Sequence, residues 1–111
     1  MKSNPLSSWE TQVRKGILEY LVLEELAIED GYGYDVLQRI RKRPAMEVTE
    51  SAVYPILNRL AKEGLLSSVR EESRLGPPRR RYTVTSLGRV RLLKMKHFIE
   101  ELEKGLKPHR P

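Results

Sequence analysis

The chain has 111 residues with no cysteine, and its 21 lysines and arginines outnumber its 15 acidic residues to leave a formal charge of +6. That length builds one small core rather than two, and the positive balance makes polyanions natural partners. Disulfides and thiolate metal sites are excluded, no run approaches the roughly 18 apolar residues of a membrane span, and MKSNPLSSWE lacks the apolar centre of a signal peptide, so a soluble cytoplasmic protein is expected.

Ser7 and Glu10 have capping-box spacing, and the pattern predicts a first helix from there to about Glu25 or Ala27. Trp9, Val13, Ile17 and Tyr20 recur on one face of it, and Leu18, Val22 and Leu26 on another. A helix that is apolar on two faces needs two burial partners. A shorter helix is expected after Gly31 and Gly33, with Val36, Leu37 and Ile40 as its apolar positions; it ends in the basic run Arg41, Lys42, Arg43 before Pro44.

The third helix is the centre of the functional reading. Thr49 or Ser51 can cap it, Pro55 is tolerated early at the cost of a kink or a missing hydrogen bond, and Gly64 closes it as the residue after the C-cap. At 100° per residue, Val53, Ile56, Leu57 and Leu60 form an apolar stripe. Ser51, Pro55, Asn58 and Lys62 fall opposite, flanked by Tyr54 and Arg59. Such a helix can dock on its own domain while offering hydrogen-bonding groups and cations to a major groove, although an ordinary wet surface helix looks the same.

The segment after this helix favours the major-groove reading. Leu66 to Arg70 suits a strand, Ser73 to Pro78 holds Gly76 and two prolines that block a helix, and Arg81 to Val84 suits a return strand. Arg79, Arg80 and Arg81 therefore stand at the start of that return strand, where guanidinium groups fork donors toward phosphate oxygens. A charge run that merely keeps an edge hairpin from aggregating is the alternative, and the small acidic offset from Glu71 and Glu72 argues for nucleic acid.

Thr85 can cap a last helix to about Lys104, ended by Gly105 and Pro108. Within it Leu92, Met95, Ile99, Leu102 and Leu106 follow a three, four, three, four spacing, the seam by which one helix buries itself against another. Docking on the chain's own first helix would use it; a homodimer would use both this seam and the first helix's spare face. Trp9, Val13, Met95, Phe98 and Ile99 could line an apolar gap there for a small effector, or simply fill the interior.

KGILEYLVLEEL, YGYDVLQRI, SAVYPILNRLAKEGLL and GPPRRRYTVTSLGRVRL, in this order and spacing across nearly the whole chain, resemble the PadR family of bacterial winged-helix transcriptional regulators, in particular its short subfamily. The resemblance implies a mainly α fold with a small β-hairpin: a winged helix-turn-helix over residues 1–84, then a dimerisation helix and tail over 85–111, in one compact unit. It places the recognition helix on Ser51 to Lys62, with Tyr54 and Pro55 as its signature pair, and the wing on Arg70 to Tyr82. It also implies a homodimer that usually represses transcription and often answers to small aromatic or drug-like effectors.

The expected function is thus binding of a double-stranded operator with inverted-repeat symmetry, without cofactor or metal. Ser51, Tyr54 and Asn58 are the candidates for base edges, and Arg59, Lys62, Arg79, Arg80 and Arg81 for phosphates. The alternative is a winged-helix module that binds protein or RNA without specific DNA recognition. An enzyme is not expected: no Gly-rich phosphate loop or metal-spaced histidine pair occurs, His97 and His109 stand apart, and Glu100, Glu101 and Glu103 suit a solvated helix face.

Overall fold

In the computed structural model, which describes residues 7–109, four helices surround a small antiparallel sheet. In chain order they are α1 (Ser7–Ile28), β1 (Gly31–Tyr32), α2 (Gly33–Arg41), α3 (Glu50–Lys62), β2 (Leu66–Glu71), β3 (Arg79–Val84) and α4 (Ser86–Gly105). The core joins Leu18, Val22, Leu23 and Leu26 of α1 to Val36, Leu37 and Ile40 of α2 and to Val53, Leu57 and Leu60 of α3. Except for Leu23, these are positions the helical periodicity assigns inward; Ile56 of the predicted α3 stripe is only half-buried.

Of α1's two apolar faces, the Leu18 face enters the core, whereas Trp9 and Val13 stay exposed and Ile17 and Tyr20 are half-buried. The helix runs slightly further than expected, to Ile28, and Ser7 is already helical rather than a cap. Its Glu25 is nearly buried and is neutralised by Arg43, which bonds Glu25 at 2.7 Å and Glu24 at 2.6 Å. One member of the basic run after α2 is thereby a structural cation, as a buried carboxylate requires. Tyr20 also donates to Glu24. Burial and this bond push the Tyr20 phenol up to about 12. Burial would raise the Glu24 carboxyl, but hydrogen bonds from Tyr20 and Arg43 outweigh it and hold the group below the ordinary carboxylate range.

The sheet differs from the expected two-stranded hairpin by one strand. β1 pairs with β3, placing Gly31 opposite Tyr82 and Tyr32 opposite Arg81, so the order is β1-β3-β2. A two-residue strand carries no readable alternation, because its existence depends on β3 arriving beside it. Between β2 and β3, Leu66 faces Val84 and Arg70 faces Arg80. Alternation then puts Leu66, Ser68, Arg70, Arg80, Tyr82 and Val84 on the core-facing side, and Tyr32, Val69, Glu71, Arg79 and Arg81 on the outer side.

Two glycines fix how α3 and α4 meet the sheet. Gly64 has φ +80, and the Gly64 and Leu65 amides donate to Ala61 and Leu60 carbonyls at 3.1 and 2.9 Å, a left-handed helix stop of the Schellman kind. Thr85 caps α4 as expected: its hydroxyl oxygen accepts from the Gly88 amide at 3.0 Å and donates to the Gly64 carbonyl at 2.7 Å. A Cβ at Gly88 would collide with the Leu65 carbonyl oxygen, so the first turn of α4 can lie against Leu65 only with a residue that has no side chain at this position.

Candidate nucleic-acid interface

α3 presents the polar face that its periodicity predicts. Ser51, Pro55, Asn58, Arg59 and Lys62 are exposed, Tyr54 is half-buried, and Val53, Leu57 and Leu60 are fully enclosed. Thr49 occupies the N-cap position, but its hydroxyl lies 2.9 Å from that of Ser51 and makes no capping bond. Pro55 lies within the continuous helix. Lacking an N–H, it leaves the Ser51 carbonyl without the usual donor four residues on, at the exposed end of the helix.

Tyr54 is fixed by α2. A Cβ at Gly33 would lie 2.6 Å from Tyr54 Cε1, so the start of α2 packs directly on the tyrosine ring. Burial, reinforced by Glu50, raises the Tyr54 phenol above its ordinary value, and burial does the same for Tyr82. Both therefore stay protonated at neutral pH and can donate hydrogen bonds.

The three wing arginines have different surroundings. Arg79 lies over the Tyr32 ring, 4.2 Å from its centre, and Arg81 is 5.4 Å from the same ring. Arg81 also forks onto Asp30 with bonds of 3.2 and 3.3 Å, and the Tyr32 hydroxyl donates to Glu71 at 2.7 Å. Arg80 lies on the other side of the sheet, where its guanidinium donates to Ser68 at 3.2 Å and pairs with no carboxylate among the described residues. It borders a groove of about 370 Å³ together with Tyr34, Tyr54 and Pro78, between the wing and the helices, and Arg79 on Tyr32 reaches the same groove. Tyr34, exposed at the start of α2, is a member of this groove that the sequence pattern did not single out; its place at a helix start beside Gly33 was the available signal.

Arg59 is engaged within the chain. Its Nη2 pairs with Glu19 of α1 at 2.7 Å and its Nη1 with Glu63 at 3.2 Å. The bond to Glu19 raises its already high ionisation further, so the group stays cationic throughout. Lys62 forms no ion pair among the described residues.

On the far side, α1 and α4 enclose an apolar groove of about 550 Å³ lined by Val13, Met95, Phe98 and Ile99 with Tyr20 and Leu102. Trp9 lies across Val13 in a smaller adjoining groove. Of the predicted seam, Leu92 is buried in the chain's own core, Met95 and Ile99 are half-buried, and Leu102 and Leu106 remain exposed, the last at 75%. Among the described residues no cluster of acidic or histidine side chains could hold a metal ion, and no helix is long and apolar enough to cross a membrane.

A helix-turn-helix with a polar third helix, followed by an arginine-bearing hairpin beside it, defines a winged-helix protein of the kind that regulates transcription. The sequence matches the transcriptional regulator PadR-like family over residues 22–94. Among solved structures, a PadR family transcriptional regulator from Eggerthella lenta is 29% identical with a TM-score of 0.82, the match covering 91% of this chain and 88% of that one. A PadR-like transcriptional regulator from Bacillus cereus is 32% identical with a TM-score of 0.74, covering 86% and 92%. The chain belongs to the PadR-like family of transcriptional regulators. That family consists of regulators, not enzymes.

Proposed function

We propose that the protein binds a specific operator as a homodimer and represses transcription from it, and that a small aromatic effector releases it. The observation that carries the reading is the groove that Tyr54 of α3 shares with Arg79 and Arg80 of the wing. A helix seated in the major groove through Ser51, Tyr54 and Asn58 would bring Arg80 to the phosphates on the Tyr54 side, with Lys62 on the outer face and Arg59 on the opposite flank. Arg79 and Arg81 add positive charge at the outer edge of the wing while holding it against β1.

Support for a dimer comes from the half-exposed seam on α4 beside the spare face of α1, which together expose Trp9, Val13, Phe98, Leu102 and Leu106. Pairing through these helices would set two α3 helices one DNA turn apart, about 34 Å, and call for an inverted repeat. The groove between α1 and α4 offers an effector an apolar wall at that same interface.

The deciding experiment is nuclease protection of the protein's own promoter with excess unrelated competitor DNA, at two salt concentrations, together with the mass of the protein in solution. Protection of one inverted repeat by a dimer supports the reading. Smeared, salt-sensitive binding that competitor abolishes on every promoter tried across the genome would instead support a basic interaction module. Quenching of Trp9 fluorescence by planar aromatic cations or phenolic acids tests the effector, and no quenching by any of them removes it.

A further inference from the structure

The polar face of α3 has two flanks. On one, Tyr54 borders the groove shared with the wing. On the other, Thr49 and Ala52 border a separate groove of about 560 Å³, whose opposite wall is built from Lys15 and Leu18 of α1, Arg41 at the end of α2, and Val48. The floor of this groove is apolar and its rim is cationic.

Lys15 and Arg41 are both exposed, and neither forms an ion pair among the described residues. Arg41 is nevertheless held in place: its Nε donates to the Val48 carbonyl at 3.0 Å, directly ahead of the α3 N-cap, and its two terminal nitrogens have no partner among the described residues. Arg14 in the same groove is already committed, with Nε on the Ala45 carbonyl at 2.6 Å and Nη2 at 3.6 Å from Glu10. Glu47 is the carboxylate that shares the groove, and it is exposed and pairs with neither free cation.

A B-form major groove is about 12 Å wide, and a helix with its side chains is about 10–12 Å across. A recognition helix lying in it therefore runs between two phosphate strands, one along each flank. The wing can serve only the strand on the Tyr54 side.

We infer that Lys15 and Arg41 form a second phosphate-binding edge, on the flank of α3 opposite the wing, so that the duplex backbone is gripped on both sides of the recognition helix. This rests on the DNA-binding reading proposed above. It assigns to α1 and to the end of α2 a direct contact with nucleic acid beyond their part in the core. Each contact releases counterions without reading sequence, so its signature is in salt dependence and not in base preference.

The test measures affinity for the protected operator across a salt series, for the unaltered protein and for Lys15→Gln, Arg41→Gln, the double variant, Arg41→Lys, Arg80→Ala, and Lys107→Gln as a control just beyond the end of α4. Each of the first two is expected to make the slope of log affinity against log salt shallower by about one unit, and the pair by about two. The preferred sequence should not change, and Arg41→Lys and Lys107→Gln should keep the original slope. Lys15 makes no side-chain bond among the described residues, so Lys15→Gln decides the matter even if Arg41→Gln fails to fold. Unchanged slopes for Lys15→Gln and the double variant, with a shallower slope for Arg80→Ala, would overturn the second edge and leave the operator reading standing. Failure of the unaltered protein to protect any operator overturns both.

Discussion

Glu19 of α1 holds Arg59 of α3 at 2.7 Å, and its second oxygen lies 3.6 Å from Arg91 of α4. α3 is thus tied by one carboxylate to both helices of the proposed dimer face. The Arg59 side chain is half exposed, so water and salt screen the pair and its loss should cost less than about 1 kcal/mol of stability. Glu19→Gln is expected to leave the fold intact and to tighten operator binding about fivefold at low salt, because it frees Arg59 and removes a negative charge beside the phosphate path. Anisotropy titrations at low and high salt check this. Weaker binding would mean that Glu19 holds Arg59 in its productive position rather than competing for it.

Gly33 and Gly88 should differ in their tolerance of a methyl group. At Gly33 the added Cβ meets the Tyr54 ring, which can turn aside; at Gly88 it meets the backbone oxygen of Leu65, which cannot. Gly88→Ala is expected to cost about 3 kcal/mol, the upper end for overpacking, and Gly33→Ala about 1 kcal/mol. Urea unfolding at neutral pH measures both. Displacing Tyr54 should also weaken operator binding by folded Gly33→Ala, an effect the stability change alone would not produce.

Stability should fall at both ends of the pH scale through one cluster, Tyr20, Glu24 and Arg43. The Tyr20 phenol is raised to about 12 in the folded state, so its contribution is complete below its unfolded value near 10 and is lost as pH climbs from there through about 12. The Glu24 carboxyl is lowered, so its contribution is complete above the ordinary carboxylate range and is lost as pH falls below it. Unfolding midpoints against pH should show a flatter alkaline limb for Tyr20→Phe and a flatter acid limb for Glu24→Gln. A variant that shifts the whole curve without changing either limb would count against this assignment.

Arg80 and Arg81 are neighbours in sequence with different expected roles. Arg80→Ala should flatten the salt slope of operator binding by about one unit with little change in stability. Arg81→Ala should leave the slope closer to that of the unaltered protein and chiefly loosen the wing from β1, because that side chain is bonded to Asp30. Equal slopes for the two variants would show that the sheet face does not sort the triplet.

The order of elements was legible because each rests on local chemistry. The 3.6-residue periodicity of Val36, Leu37 and Ile40 and of Val53, Leu57 and Leu60 matches the buried faces of α2 and α3. Gly64 and Thr85 act where the pattern placed them, since a left-handed stop and a helix cap need only adjacent residues. The polar face of α3 and the arginine triplet were visible for the same reason.

Contacts between elements were not legible in this way. The amino-acid sequence by itself determined the class of fold, the positions of the helices, the surplus of positive charge and the side chains on the outer face of α3. Tertiary structure alone decided that β1 completes the sheet, that Arg43 serves Glu24 and Glu25 while Arg41 does not, that Arg59 is bound to Glu19, and that Arg79 and Arg80 of the wing share a groove with Tyr54. Periodicity fixes which way a side chain points from its own element, within a few residues of chain; which charge or ring it then meets depends on elements that folding brings from tens of residues away.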